Sequence, residues 1–209
     1  MLTQTRPTEI LAAEHRVIER VLECLDVLAQ RAQRDGVLDA ESAAQALEVV
    51  ATFADRCHHM KEEDVLFARM HARGIPDHVG PIAVMLHDHE AGRSRVRAMR
   101  WAVTRHVKGE PDAAKDFAEN SLAYTELLRE HIAKEDHVLY PMAEACFSEQ
   151  DRLEVLEDFA RKESKDMGAG THERMLALVD GLCARLCVPK PAHTSSSPHK
   201  CGLGGCGQH

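Results

Sequence analysis

Apolar residues recur at spacings of three and four along most of the chain. Leu11, His15, Ile18, Leu22 and Leu25 form one such stripe and predict a helix from about Thr8 to Arg34. Pro7 stands near its start, and "RDG", with Gly36, closes it. A second long helix is predicted from about Asp39 to Arg73, stopped by "RGIP". A third begins near Pro81 and ends before "KGEP". A fourth runs from about Asp112 to Phe147, with Pro141 late in it as a kink or an early stop. Four long segments joined by short polar connections predict an all-α fold, an up-down-up-down four-helix bundle. Two further helical pieces follow, Ser148 to about Met167 and Thr171 to about Cys187, separated by "GAG". From Val188 the chain is rich in Pro, Ser and Gly without periodicity, which predicts a disordered tail. The expected organisation is a bundle over residues 1–147, accessory helices over 148–187 and a tail over 188–209.

Composition sharpens this picture. Of 209 residues, 44% are hydrophobic but only 4% aromatic, so the core must be built from Leu, Val, Ala, Ile and Met, which suits helices. The net charge of -8 argues against a nucleic-acid partner. No apolar run approaches the roughly 20 residues of a membrane span, so no membrane association is expected. The first residues lack a basic head followed by an apolar stretch, so no secretory signal is expected either. Seven scattered cysteines, an odd number, read as reduced thiols, and the expected location is the cytoplasm. Fourteen histidines are the first compositional sign of metal chemistry.

A repeat gives those histidines positions. "KEEDVLFAR" from Lys61 and "KEDHVLYPM" from Lys134 share the pattern K-E-x-x-V-L-aromatic. In that register Glu62 matches Glu135, and His58 matches His131. Upstream, "EHR" carries His15 and "DHE" carries His89. His15 precedes His58 by 43 residues, and His89 precedes His131 by 42. The bundle reads as a duplicated helical hairpin, each half holding one lone His and one HxxxE pair. "CHHMKEEDVLF" also contains His59 and Glu63 at the same spacing. The repeat register favours His58 and Glu62. Helical periodicity agrees, setting His58 among Leu47, Ala51, Ala54, Val65 and Leu66, and His59 among Glu48, Thr52 and Arg56. Likewise His89 shares a seam with Met85, Gly92, Val96 and Met99, which favours it over His87.

Residues four apart lie over one helical face, so each HxxxE presents an imidazole and a carboxylate to one point. Buried unpaired, those carboxylates would cost several kcal/mol. A metal centre resolves the conflict. Four imidazoles divide as two per metal, and two carboxylates bridge both. An oxide or hydroxide bridge would bring each metal to five ligands with one position open. Nitrogen and oxygen donors of this kind suit iron or manganese better than structural zinc.

The combined pattern, His15, His58-x-x-x-Glu62, His89 and His131-x-x-x-Glu135, resembles the hemerythrin-like, or HHE cation-binding, family over about residues 8–147. The resemblance implies a four-helix bundle with a non-haem di-iron centre, oxo- or hydroxo-bridged, held by these six residues. Oxygen-carrying members have a second histidine on the third helix, where this chain has Arg93, and a longer spacing to an aspartate on the fourth helix. Here Glu135 sits at the shorter spacing, with Asp136 beside it. Loss of one imidazole is expected to leave both metals open. That suits reaction with, or sensing of, oxygen, peroxide or nitric oxide more than simple carriage.

Three functions stay open at this point: a di-iron redox protein with a small diatomic or peroxide ligand, an iron-responsive binding module, and an iron donor for repair of damaged iron-sulfur clusters. The second and third need a protein partner. Tyr124, seven residues before His131 on the same face, is expected to be a core tyrosine, and its alternative is a hydrogen-bond or radical donor. Cys57 is expected to be a small core residue. "RSRVRAMR", from Arg93 to Arg100, is expected to form a solvated face. Cys183 and Cys187, one turn apart, and His199, Cys201, Cys206 and His209 match no firm zinc spacing and read as incidental.

Overall fold

The computed structural model describes residues 6–189, except 167 and 169. Six helical rods account for nearly all of them, and no strand occurs among the described residues. Helix α1, Pro7–Asp35, opens with Pro7 at its first position, where no amide hydrogen is needed. It closes on Gly36 at φ 67°, a left-handed turn whose amide donates back to the Ala32 carbonyl. Helix α2 spans residues 40–72 and starts where Asp39 accepts the Ser42 amide at 3.0 Å. Helix α3 is Pro81–Val107, α4 spans residues 113–146, α5 is Glu149–Asp166 and α6 is Thr171–Leu186.

Two of these rods are not purely α-helical. Within α2, Val50–His59 and Glu62–Phe67 are π-helix, and within α4 so is Glu135–Leu139. A π-turn holds more residues than the 3.6 of an α-helix, so neighbouring side chains diverge by a smaller angle. All three stretches touch an HxxxE motif. Pro141 neither stops nor breaks α4; it lies at the first turn of the segment Tyr140–Cys146 that follows the π-stretch, where a proline is tolerated.

Helices α1 to α4 pack in a closed ring of neighbours, α1 on α2, α2 on α3, α3 on α4 and α4 on α1. The interior is stratified. One apolar layer contains Ile18, Leu22, Phe53, Met99 and Leu128. A second contains Leu11, Leu66, Met85, Leu139 and Ala143. Between them, on all four helices, lies a layer of buried His and Glu. Helix α6 packs on α1 and α2 and contributes Val179, Leu182 and Leu186 to the first layer. Helix α5 contributes Val155 and Phe159 to the second. The accessory helices therefore share the bundle's core. Cys183 is buried with its Sγ 3.7 Å from Cys24 Sγ, whereas Cys187 is exposed, so the two do not share a site. His199, Cys201, Cys206 and His209 lie outside the described residues.

Candidate metal centre

The polar layer consists of two groups of four residues that share Glu62. His15, His58, Glu62 and Glu135 form the first, and His59, Glu62, His89 and His131 the second. In each group one donor atom per residue lies within 4.8 Å of every other. All seven residues are buried. The six residues named from the sequence are thus brought together from α1, α2, α3 and α4. His87, the rejected alternative on α3, is exposed.

The carboxylates stand between the groups. Glu135 Oε2 is 3.2 Å from His15 Nε2 and 3.2 Å from His131 Nε2. Glu62 Oε2 is 3.6 Å from His58 Nε2 and 3.5 Å from His89 Nε2. Each therefore faces one imidazole of its own helix and one of the other hairpin, an approximate twofold relation that follows the sequence repeat.

His59 departs from the sequence expectation. Periodicity set it on a solvated face; it is 5% exposed and stacks on His89 with ring centroids 4.0 Å apart. The π-turn is the cause, because it lets two consecutive histidines point inward where an α-helix would turn one out. His58 and His59 are therefore not alternatives. Five imidazoles gather, two in one group and three in the other, and the expected shortage of one imidazole is corrected: His59 on α2 supplies it, while Arg93 on α3 turns to Glu63 and Asp55. Glu63 is half-buried and faces His89 rather than the shared centre. The same effect at Glu135–Leu139 turns Val138 outward, 49% exposed, although in an α-helix a residue seven positions after the buried His131 would share its face.

Four of the imidazoles are held from behind by carboxylates. His15 Nδ1 donates to Asp136 at 2.8 Å, and His89 Nδ1 to Glu63 at 2.6 Å. His58 Nδ1 donates to Glu14 at 3.0 Å, and His131 Nδ1 faces Asp88 at 3.5 Å. Such partners fix the ring orientation and leave the Nε2 lone pair for the centre. The arrangement again obeys the repeat. Asp136 and Glu63 follow the two central glutamates, and Glu14 and Asp88 precede the two lone histidines. "EHR"/"DHE" and "KEE"/"KED" carried this signal, since an acidic residue stands at each of the four flanking positions. Cations back each acid: Arg16 on Asp136, Arg93 on Glu63, Lys61 on Glu14 and Lys134 on Asp88.

Tyr140 was not singled out from the sequence. Its hydroxyl donates to Glu62 Oε1 at 2.7 Å and lies 3.2 Å from His15 Nε2, with the two rings stacked. It is the aromatic of K-E-x-x-V-L-aromatic, where the first half has Phe67, and both are buried. Tyr124 is a core tyrosine, as expected, and belongs to the first apolar layer.

Burial opposes charge throughout the layer, yet the carboxylates beside His15 and His131 outweigh it and raise both, the latter to about 9. Burial, then the neighbouring Glu135, pushes Glu62 well above the usual carboxylate range. Burial acts the same way on Glu135, but His131 and His15 outweigh it and hold that carboxyl low. Burial pushes His58 down to about 4 against the pull of Glu14. Burial and the adjacent His89 push His59 down as well. These two imidazoles are neutral, the form that binds metal. Glu62 Oε2, both oxygens of Glu135 and both ring nitrogens of His59 have no hydrogen-bond partner among the described residues. Buried polar atoms are rarely left so. Their donor types fit a mixed nitrogen and oxygen site for iron or manganese.

A third group, Glu14, Cys57, Glu163 and His172, is also close-packed. The Lys61 ammonium already joins Glu14 at 2.6 Å and Glu163 at 2.8 Å, so this group is an ion-pair network. Cys57 is buried beside it, and burial pushes its thiol up to about 11, which keeps it protonated. Beside His59 a cleft of about 220 Å³ opens between α2 and α3.

Comparison with known proteins agrees with this geometry. The family model for the hemerythrin HHE cation binding domain matches residues 6–143. An uncharacterized protein of Mycobacterium bovis and uncharacterized proteins of two Mycobacterium tuberculosis strains are each 24% identical over 160 residues. The match covers 77% of this chain but 62% of each relative, so the chain spans less than two thirds of their length. No solved structure gives a significant match.

Proposed function

The chain belongs to the hemerythrin HHE cation-binding domain family, and on that premise we propose that the polar layer holds two metal ions, iron by preference. His15 and His58 would hold one, His59, His89 and His131 the other, and Glu62 and Glu135 would be shared by both. The observation that carries this reading is the pair of buried carboxylates, Glu62 with one oxygen and Glu135 with both lacking a hydrogen-bond donor, and each facing imidazoles of both groups. Bound there, two iron ions would supply an accessible redox pair for oxygen, peroxide or nitric oxide.

The protein's part is to position and to insulate. The four backing carboxylates aim the imidazoles, and the two apolar layers keep bulk water from the centre. Tyr140 holds a proton 2.7 Å from Glu62 Oε1 and is placed to share it with that carboxylate. The cleft beside His59 gives small molecules an approach to the centre.

The direct test is the visible absorption of the iron-loaded protein, before and after addition of peroxide or nitric oxide. A charge-transfer spectrum that changes on addition supports the redox reading. A spectrum indifferent to oxygen, peroxide and nitric oxide counts against it.

One observation favours a second reading, an iron-responsive module. Helix α5 reaches the centre through Glu163, Lys61, Glu14 and His58 in an unbroken hydrogen-bonded chain. Metal at His58 would then stabilise α5. Iron-dependent protection of α5 from proteolysis, without turnover, favours this reading, and equal cleavage with and without iron opposes it.

A further inference from the structure

The cleft between α2 and α3 has features that the centre does not require. Its walls are apolar: Val50 and Ala51 from α2, and Val96 from α3. Its floor is Gly92, whose missing side chain leaves the Tyr124 ring exposed to the cleft; a Cβ there would lie 3.4 Å from that ring. At depth the cleft ends on Tyr124, 2% exposed, and on His59, 5% exposed. The proposed metal centre uses the His59 imidazole, so what the cleft presents to a ligand at depth is ring surface.

The mouth is cationic. Arg93 is neutralised by Asp55 and Glu63, and Arg97 by Glu90. Arg100 differs, because it meets only the Leu47 carbonyl, at 3.3 Å, and no carboxylate among the described residues. The lining carboxylate, Asp55, is occupied by Arg93 at 2.8 Å. The cleft thus has a guanidinium without an acidic partner at its mouth, an apolar waist and two rings at depth.

We propose that this cleft binds a small organic monoanion with an apolar body, carboxylate toward Arg100 and body toward Tyr124 and His59. A volume of about 220 Å³ admits a single aromatic ring with its carboxylate and little more. The proposal does not rest on metal occupancy, because every group it uses belongs to the chain.

Benzoate is the probe, with benzyl alcohol as its neutral counterpart and acetate as the anion without a body. The chain has only two tyrosines, Tyr124 and Tyr140, so fluorotyrosine labelling of the full chain gives two 19F signals, one in the cleft and one at the centre. Benzoate is expected to move the Tyr124 signal saturably and to leave that of Tyr140 in place, in metal-free and zinc-loaded protein alike. Benzyl alcohol should bind about tenfold more weakly or worse, the effect of losing one charge-assisted hydrogen bond, and acetate should not move the signal. Arg100→Gln should weaken benzoate about tenfold and leave benzyl alcohol unchanged. Val96→Phe, which fills the waist from a partly exposed position, should abolish the shift while its melting temperature reports an intact fold. A static Tyr124 signal, equal binding of benzyl alcohol, an Arg100→Gln variant with wild-type affinity, or a shift confined to Tyr140 would each overturn the proposal.

Discussion

Replacing Lys61 by Met tests whether the network behind His58 is structural. Lys61 is 1% exposed, yet its ammonium is charged, since Glu14 and its other neighbours outweigh the burial that opposes charge. It donates to Glu14 at 2.6 Å and to Glu163 at 2.8 Å. Methionine keeps the length of the stem and removes the charge. Glu14, 5% exposed, is then left with His58 alone as donor. Stranding one partner of a buried ion pair costs about 3–5 kcal/mol. The Glu163 arm adds little, because that carboxylate is more than a third exposed and rehydrates freely. The expected loss is therefore about 3 kcal/mol, or roughly 6–12 °C in Tm for a chain of this size. Adding Glu14→Gln removes the stranded charge and still offers an oxygen to His58, so the double variant should return to within about 1 kcal/mol of wild type. Urea denaturation of the metal-free protein measures both, so metal affinity does not enter. A loss under about 1 kcal/mol for Lys61→Met, or a double variant less stable than the single, would refute the reasoning.

Three further outcomes are expected. Asp151 is buried at the start of α5, and hydrogen bonds from Arg73, Ser148 and Arg69 hold its carboxyl below its ordinary value of 3.8; its contribution is complete above that value and lost as pH falls through the depressed one, so Asp151→Asn should be less stable than wild type at neutral pH and the gap should close only in strong acid, read by thermal melts across pH. Gly92→Ala should raise Tm by roughly 2–4 °C, because helix propensity favours alanine by about 1 kcal/mol and the new methyl meets its nearest neighbour at an ordinary 3.4 Å; a fall in Tm would show that the Tyr124 ring cannot accommodate it. Stripping metal with a chelator should lower Tm reversibly, by the linkage of about 2.7 kcal/mol that a ligand at a hundred times its Kd supplies; an unchanged melt in metal-replete protein would count against a bound ion.

The long helices were legible because their signals are local. Pro7, Gly36, Asp39 and Pro81 mark ends that the structure places within a residue or two of the expected positions. The repeat was legible because the two halves kept both spacing and flanking residues. What the sequence did not disclose follows from the backbone. Periodicity reasoning assumes 3.6 residues per turn, and in the π-stretches that assumption fails, so the buried His59 reads from the sequence as solvated. Tyr140 was visible as the aromatic of the repeat, but nothing in the repeat distinguishes a ring that packs from one whose hydroxyl reaches Glu62. The backing acids stand at matched positions of the repeat, but their partners do not show there. Each pairs across helices, Glu14 with His58 and Asp136 with His15, so spacing along one helix cannot reveal them. The free apolar walls of the cleft and the lone Arg100 are likewise properties of two helices together.

The central claim is that the layer between the two apolar cores takes up a pair of cations. Anaerobic titration of the metal-free chain with ferrous iron, followed by native mass spectrometry, counts them directly. Two ions per chain in the wild type, and a loss of the two-ion species in Glu62→Ala, whose side chain faces both groups, is the predicted result. A chain that stays metal-free, or one that binds two ions as well without Glu62 as with it, would contradict the account.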